Sequence, residues 1–538
     1  MGLDDLVLAL QRLVDRCVRR LRIGPRPATG QRRLLIVQID GLARSVLDEA
    51  IREGRMPFLA RLMRTTHRLE PMSVGMPTST PAFQMAAMYG VRPDIPGFHY
   101  HDKRRRADIY FPRAGDAALV EGEQAAGRKG IVTGGSTYGC IFTGGATHNL
   151  FSFAMIKRPT GPGLLAALSS FVVLAWVVVK CLAMTAETLV RFLLRLIANP
   201  LEARPSGWKW LGIKVGMSIW LRELFTLSVA RDVYAGVPAV YVNYVDYDVY
   251  AHGFGPRHRR ARRALRRVDR AIHQLSRVCR RVPEYRYDLF VLSDHGQAHC
   301  VPFQTLTDGV PLERVLFDEF LSDSSEVSPA RPRGRHLASG IKAMRSHRGN
   351  GLFQRFMNYL DEDFGSRIDP APESAERDGV RVVSAGPNAF VYFVDTPEPL
   401  TIEEIDARHP ALAERMSMHP GIGFLLARGA DGPVCVWRGK RVSLREEPGP
   451  FAARTDSDVV LQGIDDLMGM RTAGDLVIYG HDAVEGNVSF IAEIGAHAGP
   501  SYDELHTFIV GPADVSLPRP LQHPIQLYDV FAKYQSPS

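Results

Sequence analysis

The arrangement of apolar and polar residues switches repeatedly between two patterns along the chain. Short apolar runs are followed by stretches in which apolar residues recur at helical spacing. Such a run is typical of a strand that is covered on both faces, as in a parallel sheet. The runs span residues 34–39, 239–245, 288–293, 389–394 and 506–510. Strands that alternate with helices predict an α/β fold, a three-layer sandwich around a mostly parallel sheet.

The most apolar stretch of the chain lies at residues 163–183, where Lys180 is the one charge. Its length suits a bilayer span of about 20 residues, and residues 189–197 are amphipathic. Candidate catalytic residues lie on both sides of the segment and must meet in one site, which excludes a single crossing. Residues 160–200 are therefore expected to form a re-entrant or two-crossing hairpin, a membrane-dipping insertion or a buried helical pair. We favour membrane contact, with a transmembrane helix.

Residues 1–22 place apolar side chains at helical spacing with arginines between them. This pattern predicts an amphipathic basic helix, docked either on the body of the protein or at a membrane interface. Acidic residues near the start and the lack of an uninterrupted apolar stretch argue against a cleavable signal peptide.

Shifts in composition suggest a catalytic core that is divided by insertions. The expected segments are an N-terminal helix (1–30), a first core segment (31–155), a hydrophobic helical insertion (156–215), a second core segment (216–321), a polar insertion (322–378), a third core segment with a small appended subdomain (379–515) and a C-terminal tail (516–538).

The charge of the chain indicates which classes of partner it could bind, and its cysteines indicate the compartment. Lys and Arg number 66 against 58 Asp and Glu, a net charge of +8 that suits an anionic partner. The arginine-rich stretch at 257–270 forms either a solvated helix face or a surface for anionic lipid head groups. The sequence contains no recognisable nucleic-acid-binding module.

The six cysteines are scattered without a C-x-x-C pair, which excludes a zinc ribbon and favours a reducing compartment. Basic residues on both sides of 163–183 favour a membrane-associated enzyme at the cytoplasmic face.

Asp and His side chains follow several of the predicted strands. Ligands in open α/β sheets bind beyond the carboxyl ends of the strands, so these side chains are expected to share one edge. Carboxylates and imidazoles together suit Zn²⁺, with Mn²⁺ or Fe²⁺ as alternatives. The candidate metal ligands are Asp40, Asp248, His252, Asp294, His295 and His497.

These motifs resemble the alkaline phosphatase superfamily and, within it, the nucleotide pyrophosphatase/phosphodiesterase (type I phosphodiesterase) branch. The stretch DVYAHGFGP, from Asp248 to Pro256, is the most specific match. The resemblance implies an alkaline phosphatase-like fold and two divalent metal ions. It assigns Asp40, Thr80, Asp294 and His295 to one ion, and Asp248, His252 and His497 to the other.

The resemblance also implies a threonine nucleophile. The stretch PTSTPAFQMAAMYG, from Pro77 to Gly90, has the length of the family pattern and aligns the reactive hydroxyl with Thr80. A position at the start of a helix would favour a developing alkoxide and a bound phosphate. Thr78 and Ser79 remain alternatives, and all three could simply cap the helix.

One departure from the family concerns the substrate. Family members often place an asparagine about twenty residues beyond the nucleophile, where this chain has GFHYHD. His99, His101 or Asn149 is the expected replacement for holding a phosphate oxygen.

The expected activity is hydrolysis of a phosphate ester, on a small molecule or a lipid head group, through a phospho-threonine intermediate. One alternative is a phosphatase or phospho-alcohol transferase of the same superfamily that acts on membrane or envelope lipids. Another is an inactive membrane-associated scaffold. A sulfatase is disfavoured because Phe83 stands where its motif needs arginine. The substrate and the oligomeric state do not follow from the sequence.

Overall fold

A seven-stranded sheet forms the centre of the computed structural model, which describes residues 31–150, 164–198, 205–321 and 374–535. The strands are β1 (Arg33–Ile39), β2 (His67–Ser73), β3 (His99–Asp102), β4 (Ala107–Tyr110), β5 (Ser136–Tyr138), β6 (His148–Leu150), β7 (Ala239–Tyr244), β8 (Tyr287–Leu292), β9 (Ala298–His299), β10 (Val301–Pro302), β11 (Ser374–Arg377), β12 (Val380–Ser384), β13 (Asn388–Phe393), β14 (Phe424–Gly429), β15 (Gly432–Trp437), β16 (Lys440–Ser443), β17 (Leu476–Tyr479), β18 (Val488–Ser489), β19 (Gly495–Ala496) and β20 (His506–Pro512).

Helices cover both faces of this sheet. They are α1 (Arg44–Arg52), α2 (Pro57–Thr65), α3 (Thr80–Tyr89), α4 (Ala114–Gln124), α5 (Leu164–Ala198), α6 (Pro205–Val215), α7 (Arg222–Ala235), α8 (Asp246–Phe254), α9 (Arg259–Arg281), α10 (Phe303–Leu306), α11 (Leu312–Val315), α12 (Ile402–Arg408), α13 (Leu412–Met416), α14 (Ser457–Met468), α15 (Tyr502–Leu505) and α16 (Ile525–Ala532). A π-helical stretch, Gly216–Leu221, joins α6 to α7.

The central sheet has the order β2-β20-β8-β1-β7-β5-β6. The strands from β8 to β6 are parallel, and β20 runs antiparallel to both of its neighbours. Every residue of β1 and β7 is buried, as a strand covered on both faces requires. Leu34 and Ile36 pack into one core and Leu35 and Val37 into the other. The predicted α/β fold around a mostly parallel sheet is confirmed.

A second, antiparallel sheet has the order β11-β12-β13-β17-β14-β15-β16. It corrects the prediction for 389–394, because β13 belongs to this sheet and pairs antiparallel with both neighbours. The predicted strand at 506–510 likewise became antiparallel β20. A buried apolar run reveals a strand but not its direction, since the central strands of both sheets are buried on both faces.

Residues 164–198 form one continuous helix, which corrects the expected hairpin or helical pair. The stretch between the two apolar segments, MTAET at 184–188, contains no glycine or proline to break a helix. No helix in the described ranges is long and apolar enough to span a bilayer.

Two predicted segments lie largely outside the described residues, the N-terminal helix at 1–30 and the polar insertion up to residue 373. Residues 374–377, also assigned to that insertion, form edge strand β11. The expected C-terminal tail contains α16, which packs against α3 and buries Leu527, Val530 and Phe531. Its apolar side chains at helical spacing make it a component of the core.

Candidate metal centre

The candidate ligands converge at the carboxyl end of the parallel strands. Asp40 follows β1 directly, Asp248 lies in the first turn of α8 after β7, and Asp294 comes two residues after β8. Since β8, β1 and β7 are neighbours, these three carboxylates share one edge of the sheet. This convergence is what the sequence predicted.

The first group of side chains surrounds the Thr80 hydroxyl. Thr80 Oγ1 lies 3.1 Å from His295 Nε2 and 3.4 Å from Asp40 Oδ1. His295 Nε2 is also 3.5 Å from Asp40 Oδ1 and from Asp294 Oδ2. Asp40, Thr80, Asp294 and His295 therefore gather oxygen and nitrogen donors around one point.

The second group consists of Asp248, His252 and His497, whose donor atoms all lie within 4.8 Å of one another. His252 Nε2 is 3.3 Å from Asp248 Oδ2. The rings of His497 and His295 stack with centroids 3.8 Å apart, so the two groups adjoin. Asp248 is also within 4.8 Å of donors on Asp40 and His295, and so lies between the groups.

Hydrogen bonds at Nδ1 fix how each imidazole is presented. His295 Nδ1 lies 3.0 Å from the Gly296 carbonyl, and His497 Nδ1 lies 3.0 Å from the Thr78 carbonyl. His252 Nδ1 is 2.7 Å from Glu493 Oε2 and 2.9 Å from the Gly495 carbonyl. A nitrogen facing such an acceptor carries the proton, which leaves Nε2 of the neutral ring as a lone-pair donor. All three rings thus present Nε2 to the centre, and the neutral form of each ring would bind a metal ion there.

The charge balance of the centre fits cations. Asp40, Asp248 and Asp294 are buried, and no lysine or arginine among the described residues pairs with them. Asp294 Oδ2 is buried and accepts no hydrogen bond within the same described ranges. Uncompensated buried carboxylates are costly, and divalent ions would neutralise them. The donor set of three carboxylates and three imidazoles fits a pair of such ions.

The ionisation of these groups reflects their crowding. Burial raises the pKa of Asp40 well above its usual value, and Asp294 and Asp248 raise it further. Burial likewise raises the pKa of Asp294. Burial also acts to raise the pKa of Asp248, but His252 and the other imidazoles outweigh it, so the pKa is lowered.

The pKa values of the two histidines in the second group shift in opposite directions. Burial lowers the pKa of His497 well below its ordinary value, with His295 and His252 adding to the effect. For His252, burial acts in the same direction, but Asp248 and Glu493 outweigh it and raise the pKa well above its ordinary value.

Three supporting residues were missed by sequence reasoning. Asn243 Nδ2 donates to Asp40 Oδ2 at 2.6 Å, Gln297 donates to Asp248 Oδ1, and Glu493 accepts from His252. A polar residue inside the buried run at 239–245 could have pointed to Asn243. Glu493 carries no local signal, since it meets His252 only in the folded chain.

Gly41 explains the Asp-Gly pair after β1. Its φ of +74° lies in the left-handed region, and a Cβ there would collide with Asp248 Oδ1. The glycine lets the chain turn while Asp248 approaches Asp40.

The three hydroxyls before α3 have different surroundings. Thr80 is the first residue of α3 and faces the first group. Thr78 Oγ1 donates to the Gly499 carbonyl and accepts from the Ala498 amide, each at 3.0 Å, so it fastens the loop that carries His497. Ser79 Oγ is buried without a hydrogen-bond partner among the described residues.

The three expected phosphate-binding residues make no contact with the centre among the described residues. His101 Nδ1 lies 2.9 Å from Asp108 Oδ1 on the neighbouring strand β4. The ring of His99 contacts Tyr110, and Asn149 pairs with Thr137 at the edge of the central sheet. Their assignment to a phosphate oxygen stays a prediction.

Comparison with known proteins identifies the segment around α8. Residues 204–347 match the family model of type I phosphodiesterase / nucleotide pyrophosphatase. No curated protein sequence matches the chain. Among solved structures, a phosphonoacetate hydrolase from Sinorhizobium meliloti 1021 in complex with phosphonoacetate is 14% identical, with 95% of this chain and 97% of that chain covered and a TM-score of 0.45. Murine ectonucleotide pyrophosphatase / phosphodiesterase 5, an inactive variant in complex with AMP, is 11% identical, with 93% of both chains covered and a TM-score of 0.45.

The matched segment contains Asp248, His252, Asp294 and His295. The family is one of phosphodiesterases and pyrophosphatases, so the prediction of a phosphoester-cleaving enzyme is confirmed at the level of the family. Over residues 204–347 the chain is similar to the type I phosphodiesterase/nucleotide pyrophosphatase family, in agreement with its motifs.

Proposed function

We propose that this protein is a two-metal phosphoester hydrolase in which Thr80 Oγ1 is the nucleophile. The observation that carries the proposal is the position of this hydroxyl, 3.1 Å from His295 Nε2 and 3.4 Å from Asp40 Oδ1. Thr80 is the first residue of the wholly buried helix α3, and the unpaired backbone N–H groups at the start of a helix favour a bound phosphate.

The two groups of donors would hold one ion each, and their mixed oxygen and nitrogen chemistry favours Zn²⁺, with Mn²⁺ or Fe²⁺ as alternatives. When bound, a pair of divalent ions lowers the pKa of a coordinated hydroxyl and neutralises charge at both ends of an in-line displacement.

The residues of the chain itself orient the reaction. Asn243 holds Asp40 Oδ2, which directs Oδ1 towards the Thr80 hydroxyl. The Thr80 oxygen attacks phosphorus, the bond from phosphorus to the leaving alcohol breaks, and a phospho-threonine forms. Water then attacks the same phosphorus, releasing phosphate or a phosphomonoester and restoring Thr80. Transfer to another alcohol would differ only in the acceptor.

We also propose that the enzyme works at a membrane surface, on a phosphate-ester small molecule or a lipid head group. The apolar residues Val179, Leu182, Val190, Leu193 and Leu194 are 52–60% exposed and recur along one side of α5. Burial of such a stripe against lipid would be favourable.

A basic surface on α9 supports the same proposal. Arg259, Arg263, Arg266, Arg270 and Arg280 are exposed and form no ion pair with any described residue. Both α5 and α9 pack against α7, so they belong to one helical layer. Arginines near an anionic leaflet each contribute about 1 kcal/mol. An anionic cytoplasmic leaflet therefore remains the proposed location.

Turnover of bis-p-nitrophenyl phosphate and p-nitrophenyl phosphate tests the proposed activity. Metal-loaded protein should hydrolyse at least one of them, chelation should abolish turnover, and Thr80→Ala should abolish it while Thr80→Ser retains some of it. Thr65→Ala, at the exposed end of α2, is the matched control and should be fully active. Undiminished turnover in Thr80→Ala would refute the nucleophile, and no turnover with metal bound would favour the inactive scaffold.

A further inference from the structure

Two buried polar side chains on the second sheet lack hydrogen-bond partners. Asn388 begins β13 and pairs directly with Tyr479 at the end of β17, so their side chains lie on the same face. Both residues are 0% exposed. Among the described residues, Asn388 Oδ1, Asn388 Nδ2 and the Tyr479 hydroxyl have no partner.

His99 lies beside this pair. A Cβ on Gly97, two residues earlier, would stand 3.5 Å from Asn388 Nδ2. The His99 ring is buried and hydrogen-bonds the backbone of Ser384, while its Nδ1 has no partner within the described ranges. Burial lowers the pKa of His99 to about 4, so the ring is neutral near pH 7. Since the other nitrogen donates to a carbonyl, Nδ1 is an acceptor.

Asn388 adjoins the metal centre through Gly386. A Cβ on this glycine would stand 3.5 Å from the His497 carbonyl oxygen, 3.6 Å from Glu493 Oε1 and 4.0 Å from Asn388 Oδ1. These are ordinary van der Waals distances, so Asn388 lies across Gly386 from the loop that carries His497.

The chemistry of this cluster favours a neutral ligand. Unpaired buried amide and hydroxyl groups reduce stability, and a bound group that both donates and accepts hydrogen bonds would satisfy them. The nearby carboxylates are already engaged, Glu493 by His252 and Ser489, and Glu504 by the backbone of Gly499 and Ser501. A charged ligand would therefore meet no free opposite charge there.

We propose that His99, Asn388 and Tyr479 form a subsite that binds hydroxyl groups on the alcohol moiety of the substrate, next to the metal centre. This proposal rests on the proposed hydrolase activity. It replaces the expected phosphate contact of His99 with a contact to the esterified alcohol, and it makes the enzyme selective for diesters of polar alcohols.

Matched diesters test the subsite. Propyl p-nitrophenyl phosphate and glyceryl p-nitrophenyl phosphate differ only by two hydroxyls, and kcat/KM for the glyceryl ester should be about tenfold higher. The thymidine 5′-ester tests whether the subsite binds the hydroxyl groups of a nucleoside or of a polyol. The choline ester tests whether the subsite excludes a charged group. No hydrolysis of any of these esters would refute the hydrolase itself. Hydrolysis of all esters at equal rates, or a preference for choline, would overturn the subsite alone.

Substitutions separate binding from folding. Asn388→Leu removes unpaired polar atoms, so it should unfold at the same or a higher temperature while the glyceryl preference falls to about twofold. Tyr479→Phe should likewise reduce the glyceryl preference. The control Thr507→Val removes another buried, unpaired hydroxyl and should keep the full preference. A full preference retained in both Asn388→Leu and Tyr479→Phe would overturn the proposal.

Discussion

Replacing Glu493 by glutamine tests whether a residue outside the donor groups controls metal binding. Glu493 Oε2 accepts a hydrogen bond from His252 Nδ1 at 2.7 Å, and Glu493 Oε1 accepts one from Ser489 at 2.7 Å. Glu493→Gln preserves the shape of the side chain but removes its charge. His252 then keeps a neutral acceptor in place of a carboxylate, and its Nε2 becomes a weaker donor.

The size of the effect follows from the second acceptor of His252. A hydrogen bond to a charged group contributes about 1.5–3 kcal/mol, and loss of such an outer partner weakens metal binding by roughly 10- to 100-fold. The Gly495 carbonyl, 2.9 Å from the same nitrogen, continues to orient the ring. We therefore expect a loss of about tenfold in metal affinity, at the lower end of that range.

Activity measured in a series of buffered Zn²⁺ concentrations gives this affinity. The Glu493→Gln curve should shift about tenfold towards higher metal and reach most of the wild-type rate at saturation. Glu398→Gln is the matched control, because Glu398 pairs with Arg104 at the exposed surface. Coincident curves for Glu493→Gln and wild type would refute the role of Glu493 in orienting His252.

Three further outcomes are expected. Gly41→Ala should lose metal and activity, measured by metal content, because its Cβ collides with Asp248; wild-type metal content would contradict this. The rise in Tm on adding metal should grow from pH 5 to pH 8, since the raised pKa of His252 means that bound protons compete with metal at low pH; a constant rise would count against it. Leu193→Asp should reduce flotation with anionic vesicles, whereas Val484→Asp, at an exposed position in the loop after β17, should not; equal flotation of the two variants would exclude the α5 stripe.

The sequence predicted the parallel strands of the fold well because their signals are local. The runs at 34–39, 239–245 and 288–293 became β1, β7 and β8, and the carboxylates after them share one edge. Strand direction at 389–394 was not predictable, since pairing partners far along the chain decide it. The continuity of α5 depends on the helix-favouring residues between its two apolar segments. The change from an apolar to an amphipathic pattern at that point was the stronger signal, and it suggested two separate helices.

The candidate ligands could be predicted from the polar residues after the strands, and their division into two groups from the family resemblance, whereas their supports could not. Asp-x-x-x-His in α8 places both side chains on one face of a helix, which the sequence alone shows. Asn388 and Glu493 reach the centre only through the second sheet and the loop after it, so nothing near them in the sequence marks them. Position in the fold, and not residue type, distinguishes them from other polar residues.

Metal content per chain tests the central claim most directly. Purified protein, loaded with Zn²⁺ and freed of excess, should hold two ions by elemental analysis, and His252→Ala should hold one. Retention of no ion by the folded wild-type protein, or of equal amounts by both proteins, would contradict the two-metal centre.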